Sequence, residues 1–406
     1  MSEKAATKQN ILIVHNRYKY RGGEDTVVEN ERQLLEINGH HVVTYIRDNH
    51  ELDGYSFHTI CHKMFLPFTT LWSYRTVRDV KSLIREHHID VVHVHNTVPL
   101  ISPSVYAAAK SCGCRVVQTL HNFRFICPNG LMLRDGHICD DCIKHGLKCA
   151  VKHKCYRGSK IQTLMLVTML RLHRLLGTYR KVDKYIALTE FNKQLLCSAL
   201  PKLFTDSNVA VKPNFCFADT GKNVISGTSD RKYFIFVDRI EYSKGIFDLI
   251  NAFGEMTDQT LLVLGTGSEL DNARNEAKQH NCSNISFLGQ CDKKTVMEYM
   301  SRAKALIVPS KWYEGFPMTI AEAFSVGTPV IAADIGNAGE LAQMSAGTLP
   351  HNDIAQWTAL ISRLCDDVVL QTEIDKAYAL YKERYSDAVN YKIILNIYGD
   401  SETSSE

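Results

Sequence analysis

Residues 310–327 are Ser-Lys-Trp-Tyr-Glu-Gly-Phe-Pro-Met-Thr-Ile-Ala-Glu-Ala-Phe-Ser-Val-Gly, and they follow an apolar run that predicts a strand. Pro317 pre-sets the first turn of a helix, so the pattern predicts a loop that carries Glu314 and a helix that carries Glu322 about one turn further on. The free N–H groups at a helix start favour an anion such as phosphate. Because the helix is otherwise apolar on nearly all sides, Glu322 is expected to be buried and to need a hydroxyl donor. The alternative is a glutamate on a solvated helix face.

Similar strand and helix patterns alternate along nearly the whole chain, which predicts an α/β fold of two Rossmann-like halves. The chain has 406 residues and is 45% hydrophobic, enough for two separate cores. A Gly-, Ser-, Thr- and Asp-containing stretch at 215–230 predicts a linker. We therefore predict an N-terminal domain over 1–215 and a C-terminal domain over 216–384, with a segment of about 385–400 packing back on the first domain. The predicted strands are Ile11–His15, His41–Ile46, Val91–His95, Arg115–His121, Lys184–Leu188, Val209–Lys212, Tyr233–Val237, Leu261–Leu264, Ile285–Leu288, Ala305–Val308 and Pro329–Ala332.

The net charge is only +3, which indicates no polyanionic partner for the chain as a whole. Positive residues are unevenly spread, however, and between Val151 and Lys184 nine Lys or Arg residues accompany one acidic residue. Such asymmetry predicts a domain that faces a phospholipid surface or a phosphate-bearing substrate. A solvated basic helix is the alternative.

The first ten residues are polar and charged, with no apolar signal segment, so a cytoplasmic location is expected. The most apolar window, Ile161–Leu176, is interrupted by basic residues and is shorter than the roughly 20 residues that span a bilayer. It predicts an amphipathic or buried helix. A second mixture of aromatic and basic residues, over Phe65–Arg85, also suits peripheral contact with a membrane, although amphipathic helices of soluble proteins look the same.

The stretch Asp238-Arg-Ile-Glu-Tyr-Ser-Lys-Gly245 follows the predicted strand Tyr233–Val237 and precedes an apolar helical pattern. Ser243 is a plausible helix N-cap. Arg239 and Lys244 would then lie beside a helix N-terminus, where two cations and free N–H groups can bind a diphosphate. Taken singly, either residue is an ordinary surface cation.

The order and spacing of Arg239, Lys244, Glu314 and Glu322 resemble the C-terminal half of family 4 glycosyltransferases, which have the GT-B fold. The resemblance extends to the N-terminal half, through Gly22-Gly23, the start of the second strand at Gly39, Asp90-Val-Val-His-Val-His95 and Thr119-Leu-His121. It implies two Rossmann-like domains that face each other across a cleft.

The resemblance also implies roles for individual residues. His121 would lie at the donor sugar and diphosphate, Arg239 and Lys244 would hold the diphosphate, Glu314 would contact the hexose and Glu322 the ribose. We therefore predict His121, Glu314, Arg239 and Lys244 as catalytic. Gly22, Gly23, Gly315, Phe316 and Glu322 are predicted to bind substrate, Gly315 and Phe316 through backbone amides. The chain departs from the family pattern at Asp238, at Asn337-Ala338 and after Asn214, where glycines are usual; Asp238 must turn away from the phosphate site or be paired.

Cleavage of a nucleotide-diphosphate sugar leaves a charged diphosphate that positioned cations can stabilise without a metal. The chain contains no Asp-x-Asp triplet, the metal-phosphate device of the other main glycosyltransferase architecture. We therefore expect no cofactor for catalysis.

The resemblance implies a retaining hexosyltransferase that uses a nucleotide-diphosphate sugar and a glycan or lipid-linked glycan acceptor. The expected setting is bacterial surface polysaccharide biosynthesis, of O-antigen, capsule or exopolysaccharide. The alternatives are a nucleotide-sugar 2-epimerase of related fold and a non-catalytic nucleotide-sugar-binding subunit; a nucleic-acid partner is not expected.

An insertion at 127–158 contains Cys139, Cys142, Cys149 and Cys155. Four cysteines this close predict a structural zinc site, although the second pair is more widely spaced than a zinc knuckle. Free thiols in a basic loop and a redox-labile disulfide are the alternatives.

His93 and His95 alternate on one predicted strand, but with no third ligand evident we expect core histidines there and no metal.

Overall fold

The computed structural model of the chain describes residues 8–19, 22–54, 57–217, 227–350 and 353–399, and the side chains of 57–63 are left aside. It contains two compact units. The first comprises the described parts of 8–132 together with 140–213 and 390–399, and the second comprises 133–139 and the described part of 214–389. The predicted domain boundary at 215/216 lies two residues beyond the observed one. Two segments differ from the prediction, since 133–139 belongs to the second unit and 385–389 stays with that unit.

The strands alternate with helices in chain order. In the first half of the chain the strands are β1 (Asn10–Arg17), β2 (His41–Asp48), β3 (Val91–Asn96), β4 (Arg115–Thr119), β5 (Leu133–Arg134), β6 (His137–Ile138), β7 (Lys184–Ala187) and β8 (Val209–Val211). In the second half they are β9 (Tyr233–Val237), β10 (Leu261–Leu264), β11 (Ile285–Gly289), β12 (Ala303–Val308), β13 (Val330–Ala333) and β14 (Gly347–Leu349).

The helices connect these strands. In the first half they are α1 (Gly23–Ile37), α2 (Phe57–Leu71), α3 (Tyr74–Glu86), α4 (Ser104–Ser111), α5 (Asp141–Lys144), α6 (Lys148–Lys152), α7 (Lys160–Leu175) and α8 (Glu190–Ala199). In the second half they are α9 (Ile246–Glu255), α10 (Leu270–Gln279), α11 (Lys293–Ser301), α12 (Met318–Ser325), α13 (Gly336–Gln343), α14 (Ile354–Arg363), α15 (Asp367–Leu380) and α16 (Asp387–Tyr398).

Each unit is built on a six-stranded parallel sheet. The strand order is β2-β1-β3-β4-β7-β8 in the first unit and β11-β10-β9-β12-β13-β14 in the second. In both sheets the order reverses beside the strand that comes first in the chain, which is the topological switch point where parallel sheets bind ligands at the carboxyl edge. The residues that follow β1, β3 and β4, and those that follow β9 and β12, therefore lie at the edges where sites form.

Strands β9 and β10 are apolar on both faces, as expected for parallel sheets covered by helices. In the second unit, for example, Phe234, Phe236, Leu261 and Val263 belong to one buried core. The core of the first unit combines strand residues with Ile394, Ile397 and Tyr398 from the end of α16. Burying each of these two isoleucines contributes on the order of 1.5–3 kcal/mol, which ties the end of α16 to the first unit.

Candidate functional site

In the second unit, a tight turn brings Lys244 against the loop that carries Glu314. After β9 the chain makes a single 3-10 turn at Tyr242–Lys244 and then enters α9 through Gly245, whose φ is +76°. A Cβ atom on Gly245 would lie 1.9 Å from the carbonyl oxygen of Pro309. Only glycine allows both this backbone conformation and this close approach of the two loops.

Lys244 is buried between two carboxylates. Its Nζ lies 2.7 Å from Asp238 Oδ2 and 2.8 Å from Glu314 Oε1, and 5.4 Å from the centre of the Trp312 ring. Burial acts to lower the pKa of Lys244, but Glu314 and Asp238 outweigh it and hold that pKa above its ordinary value. Lys244 is therefore a fixed cation that already has counter-charges.

The Glu314 carboxylate is held by neutral donors as well. Oε1 accepts hydrogen bonds from Ser310 Oγ at 2.6 Å and from Trp312 Nε1 at 2.9 Å. The side-chain amide of Asn337 donates to the carbonyl oxygens of Glu314 and Gly315, which anchors the loop backbone to the start of α13. Asn337, a departure from the family pattern, thus has a structural role that a glycine could not fill.

Asp238, the other departure, is paired with Lys244 as anticipated. Burial is the main cause that raises its pKa, and Glu314 adds to the rise while Lys244 opposes it. One ammonium and two carboxylates lie together, so the cluster has a formal charge of −1 when all three groups are ionised.

Arg239 and Lys244 do not form the pair of available cations that the spacing predicts. The Arg239 side chain is 66% exposed and its Nη1 lies 2.7 Å from Glu241 Oε1, whereas Lys244 is buried. Ser243 is also not the helix N-cap, because α9 begins after Gly245 with no side-chain cap. The sequence pattern places both cations near one helix start, but it does not show that Glu314 lies against Lys244.

Glu322 lies on α12, one turn after Pro317, and is buried as predicted. Its partner in the structure is Lys293 of α11, with which it forms an ion pair. Phe316 is also buried, and its ring centre lies 6.1 Å from that of Tyr385. Glu322 and Phe316 both belong to the second unit, and their contacts with a ligand stay predictions.

In the first unit, Gly22 and Gly23 form the start of α1. The Gly22 N–H donates to Asp25 Oδ2 at 2.9 Å, and Asp25 Oδ1 lies 3.0 Å from His15 Nε2. Glu24 accepts a hydrogen bond from Asn122 at 2.9 Å, and burial raises the pKa of Glu24. The predicted substrate-binding glycines therefore lie beside two acidic side chains rather than at a bare helix N-terminus.

His121 belongs to a buried chain of polar groups at the carboxyl edge of the first sheet. Its Nε2 lies 2.9 Å from His95 Nδ1. The carboxylate of Glu31 lies 3.4 Å from both His93 Nδ1 and His95 Nε2, and Lys212 Nζ lies 2.7 Å from its other oxygen. Burial lowers the pKa of His121 and His95 well below the ordinary value and that of His93 to about 4, so these imidazoles are neutral at pH 7.

Within the described residues, Glu31, His93 and His95 are the group of three potential ligands whose atoms lie within 4.8 Å of one another. A third potential ligand, the Glu31 carboxylate, therefore does accompany the two histidines, contrary to the expectation from sequence. Two of these three groups already have partners. Lys212 forms an ion pair with Glu31, and the hydroxyl of Tyr398 lies 2.8 Å from His93 Nδ1. Both ring nitrogens of His93 have side-chain partners, whereas Nε2 of His95 has none within the described residues, so the absence of a metal here stays an expectation.

The four insertion cysteines are thiols and are not among the groups of ligand atoms that come together in the described residues. Cys139 belongs to the second unit, and the other three belong to the first. The zinc site stays a prediction.

Sequence reasoning missed Glu31 and Lys212. Glu31 falls between Val27, Val28, Leu34 and Leu35 on the buried face of α1, and an acid on an apolar face was the signal that could have identified it. The partners Ser310 and Trp312 carry no such signal, because their proximity to Glu314 arises from the loop conformation.

Two family models match the chain. Residues 21–216 match "Glycosyltransferase Family 4" and residues 221–382 match "Glycosyl transferases group 1". The chain is a glycosyltransferase. The two matches together span most of the chain, and the second includes the motifs around Glu314.

Relatives match most of the chain at low identity. The glycosyltransferase is 25% identical over 335 residues to an uncharacterized glycosyltransferase, MJ1178, of Methanocaldococcus jannaschii, which covers 82% of this chain and 80% of that one. It is 23% identical over 364 residues to an uncharacterized 42.6 kDa protein in the cps region of Klebsiella pneumoniae. That match covers 82% of this chain and 88% of the relative.

Solved structures agree on the GT-B fold. The apo form of lipopolysaccharide outer core galactosyltransferase WaaB is 16% identical and has a TM-score of 0.65, covering 97% of this chain and 100% of that one. A glycosyltransferase from Rickettsia africae is 17% identical with a TM-score of 0.66, covering 98% and 100%. Anabaena Alr3699/HepE in complex with UDP-glucose is 16% identical with a TM-score of 0.62, covering 96% and 100%. The predicted fold class is thus confirmed.

Proposed function

We propose that the glycosyltransferase transfers a hexose from a nucleotide-diphosphate sugar to a glycan or lipid-linked glycan acceptor, with retention of the anomeric configuration. The observation that carries this proposal is the fixed Glu314 carboxylate after β12, held by Ser310, Trp312 and Lys244. A buried carboxylate with fixed orientation is suited to accept hydrogen bonds from sugar hydroxyls. The structural similarity to Anabaena Alr3699/HepE, solved with UDP-glucose, supports a nucleotide-sugar donor.

In this proposal Arg239 binds the diphosphate first, because its exposed ion pair with Glu241 is worth little and exchanges easily. Lys244 lies deeper and would stabilise the charge that grows on the departing diphosphate. His121 would contact the donor sugar from the first unit. The reaction needs no metal in this scheme, since these cations supply the charge.

We propose bacterial surface polysaccharide biosynthesis as the setting, at the cytoplasmic face of the membrane. The relative encoded in a cps region and a 29% identical exopolysaccharide phosphotransferase of Streptomyces coelicolor, matched over 48% of this chain and 21% of that one, support it. Among the described residues no helix has the length and hydropathy needed to cross a membrane.

The test is a screen of UDP-, GDP-, ADP- and dTDP-sugars by thermal shift and donor hydrolysis, with and without chelator. One donor is expected to stabilise the protein and to be hydrolysed, and the chelator should change neither result. Arg239→Ala should lose binding, whereas Glu314→Gln should retain nucleotide binding and lose transfer. Absence of stabilisation by every donor would overturn the proposal, and release of an epimerised sugar instead of transfer would identify the 2-epimerase alternative.

A further inference from the structure

Helix α7 exposes a row of large apolar side chains. Its buried face includes Leu166 and Leu170, whereas Ile161, Leu164, Leu172 and Leu175 are exposed by 79%, 53%, 36% and 85%. These four positions, together with the exposed Thr168, are spaced by three or four residues and lie on one side of the helix. Soluble helices usually place polar residues on such a face.

Cations without acidic partners lie at the end of this helix. Arg171 and Arg174 lie on α7, Arg180 follows it, and Lys202 lies on the loop after α8. None of the four forms an ion pair within the part of the chain that the structure describes. The Nε atom of Arg174 is buried and lacks a hydrogen-bond partner.

The same cations border a cavity. It has a volume of 410 Å³, and its lining includes Arg174, Arg180 and Lys202 beside the apolar Leu200 and Leu203. An adjoining cavity of 290 Å³ shares Arg174 and also includes Arg171. The larger volume is in the range of small-ligand sites. A lining that combines cations with aliphatic side chains suits an anionic head group with an apolar tail.

We propose that the outer face of α7 docks on an anionic phospholipid surface, with a head-group phosphate between Arg174, Arg180 and Lys202. The leucines would enter the acyl boundary, as in helices that lie in the membrane plane. A lipid surface fits better than a protein partner, because cations without acidic partners beside exposed aliphatic side chains are matched by anionic head groups above an acyl layer. The inference deepens the proposed membrane setting, but its test requires neither donor nor acceptor.

The experiment is flotation of the full chain with vesicles of phosphatidylcholine alone or mixed with phosphatidylglycerol. We expect binding to the anionic vesicles only, with a loss of affinity as salt increases. Arg180→Gln/Lys202→Gln should weaken binding roughly 30-fold, and Leu172→Ser/Leu175→Ser should also weaken it. The matched controls are Lys278→Gln and Ile37→Ser, which remove an exposed cation and an exposed apolar side chain elsewhere.

Equal binding to both vesicles, no binding, or variants that match their controls would overturn the proposal. So would a dimer in sedimentation velocity that the leucine variant converts to monomers, since the face would then bind a second copy. Transfer to a water-soluble acceptor is expected to survive in all four variants, which separates failure of docking from failure of the proposed function.

A second inference comes from the buried network around Glu31. Oε2 of Glu31 and Nε2 of His95 are 3.4 Å apart, and neither atom has a hydrogen-bond partner within the described chain. Since His95 is neutral, one of its nitrogens carries the proton, and facing a carboxylate favours the Nε2–H form. His95 Nδ1 must then accept a hydrogen bond from His121 Nε2–H, which leaves His121 Nδ1 without a proton.

We infer that Glu31 and His95 are positioning residues that hold His121 as a hydrogen-bond acceptor at Nδ1, suited to a donor hydroxyl group. This inference rests on the proposed role of His121. A divalent cation between Glu31, His93 and His95 is disfavoured, because the ammonium of Lys212 already neutralises the carboxylate in a fully buried place.

The test is nitrogen-15 NMR of the imidazoles in the protein without donor, which reports the tautomer whether or not the enzyme is active. The wild-type chain is expected to show His121 as Nε2–H. Glu31→Gln/Lys212→Met, which keeps the site neutral, should mix the tautomers and lower kcat about tenfold with little change in donor KM. Glu36→Gln, on the exposed side of α1, is the control.

An Nδ1–H tautomer in the wild-type chain, or an unchanged tautomer and kcat in the double variant, would overturn the inference. Stoichiometric binding of added zinc that is lost in the double variant would also overturn it, because Glu31 would then be a metal ligand.

Discussion

Replacing Lys244 with methionine tests whether the two predicted phosphate-binding cations differ as the structure indicates. The substitution keeps the aliphatic stem and leaves the carboxylates of Asp238 and Glu314, now 2.7 and 2.8 Å from the ammonium, without a counter-charge. Removing one member of a buried ion pair typically costs about 3–5 kcal/mol. Arg239→Ala breaks an exposed pair, which is worth roughly 0–1 kcal/mol.

The assay is thermal and urea-induced unfolding of the two variants beside the wild type, without ligand. For a domain of this size, a loss of about 4 kcal/mol lowers Tm by roughly 8–16 °C, so Lys244→Met should be clearly destabilised and Arg239→Ala nearly unchanged. Lys244→Met/Asp238→Asn/Glu314→Gln, which removes the unpaired charges, should recover much of the loss. If Lys244→Met alone costs less than about 1 kcal/mol, or the triple variant unfolds as early as the single one, the buried ion pairs do not stabilise the free enzyme.

Three further predictions follow from the geometry. Gly245→Ala should destabilise the second unit by about 2 kcal/mol or more in urea unfolding, since its Cβ would meet the Pro309 carbonyl; wild-type stability would contradict the close packing. Glu322→Gln should move Tm by only a few degrees, because Lys293 is largely exposed, but should raise the donor KM in kinetic assays if Glu322 contacts the ribose; an unchanged KM would remove that role. Stability should fall on acidification, because His93 has a pKa of about 4 when folded and 6.5 when unfolded, so the unfolded chain binds the proton first. This residue alone should remove about 2 kcal/mol between pH 7 and pH 5, measured as urea midpoints, and a midpoint that rises towards pH 5 would refute the assignment.

The sheets could be predicted closely because their signal is local. Tyr233–Val237 and Leu261–Leu264 have the predicted bounds, and β1 is longer than its prediction by a few residues only. Short apolar runs between turn signals are sufficient evidence for buried parallel strands. Gly347–Leu349 was not predicted, since three residues carry too little pattern.

The assignment of residues 133–139 to the second unit could not be predicted, because it depends on contacts with residues distant in sequence. The candidate site likewise has features that follow from the local sequence and features that depend on contacts between distant residues. The positions of Glu314 and Glu322 follow from Pro317 and the apolar helix, which are local features. The pairing of Lys244 with Glu314 and the histidine chain around Glu31 depend on how separate strands and helices pack, and no spacing along the sequence reports that.

Asp238 is the departure from the family pattern with the clearest consequence for the chemistry. With it, the cluster around Lys244 carries a net charge of −1, so an incoming diphosphate meets two carboxylates that compete for the same ammonium. Arg239 has only an exposed partner to release, and it is therefore the cation that can bind the diphosphate at little cost. Lys244 would contribute most when charge has built up on the leaving diphosphate and outweighs the attraction of the carboxylates. Stabilisation that grows towards the transition state raises kcat rather than ground-state affinity, so in the proposed mechanism Arg239 would capture the substrate and Lys244 would stabilise the leaving group.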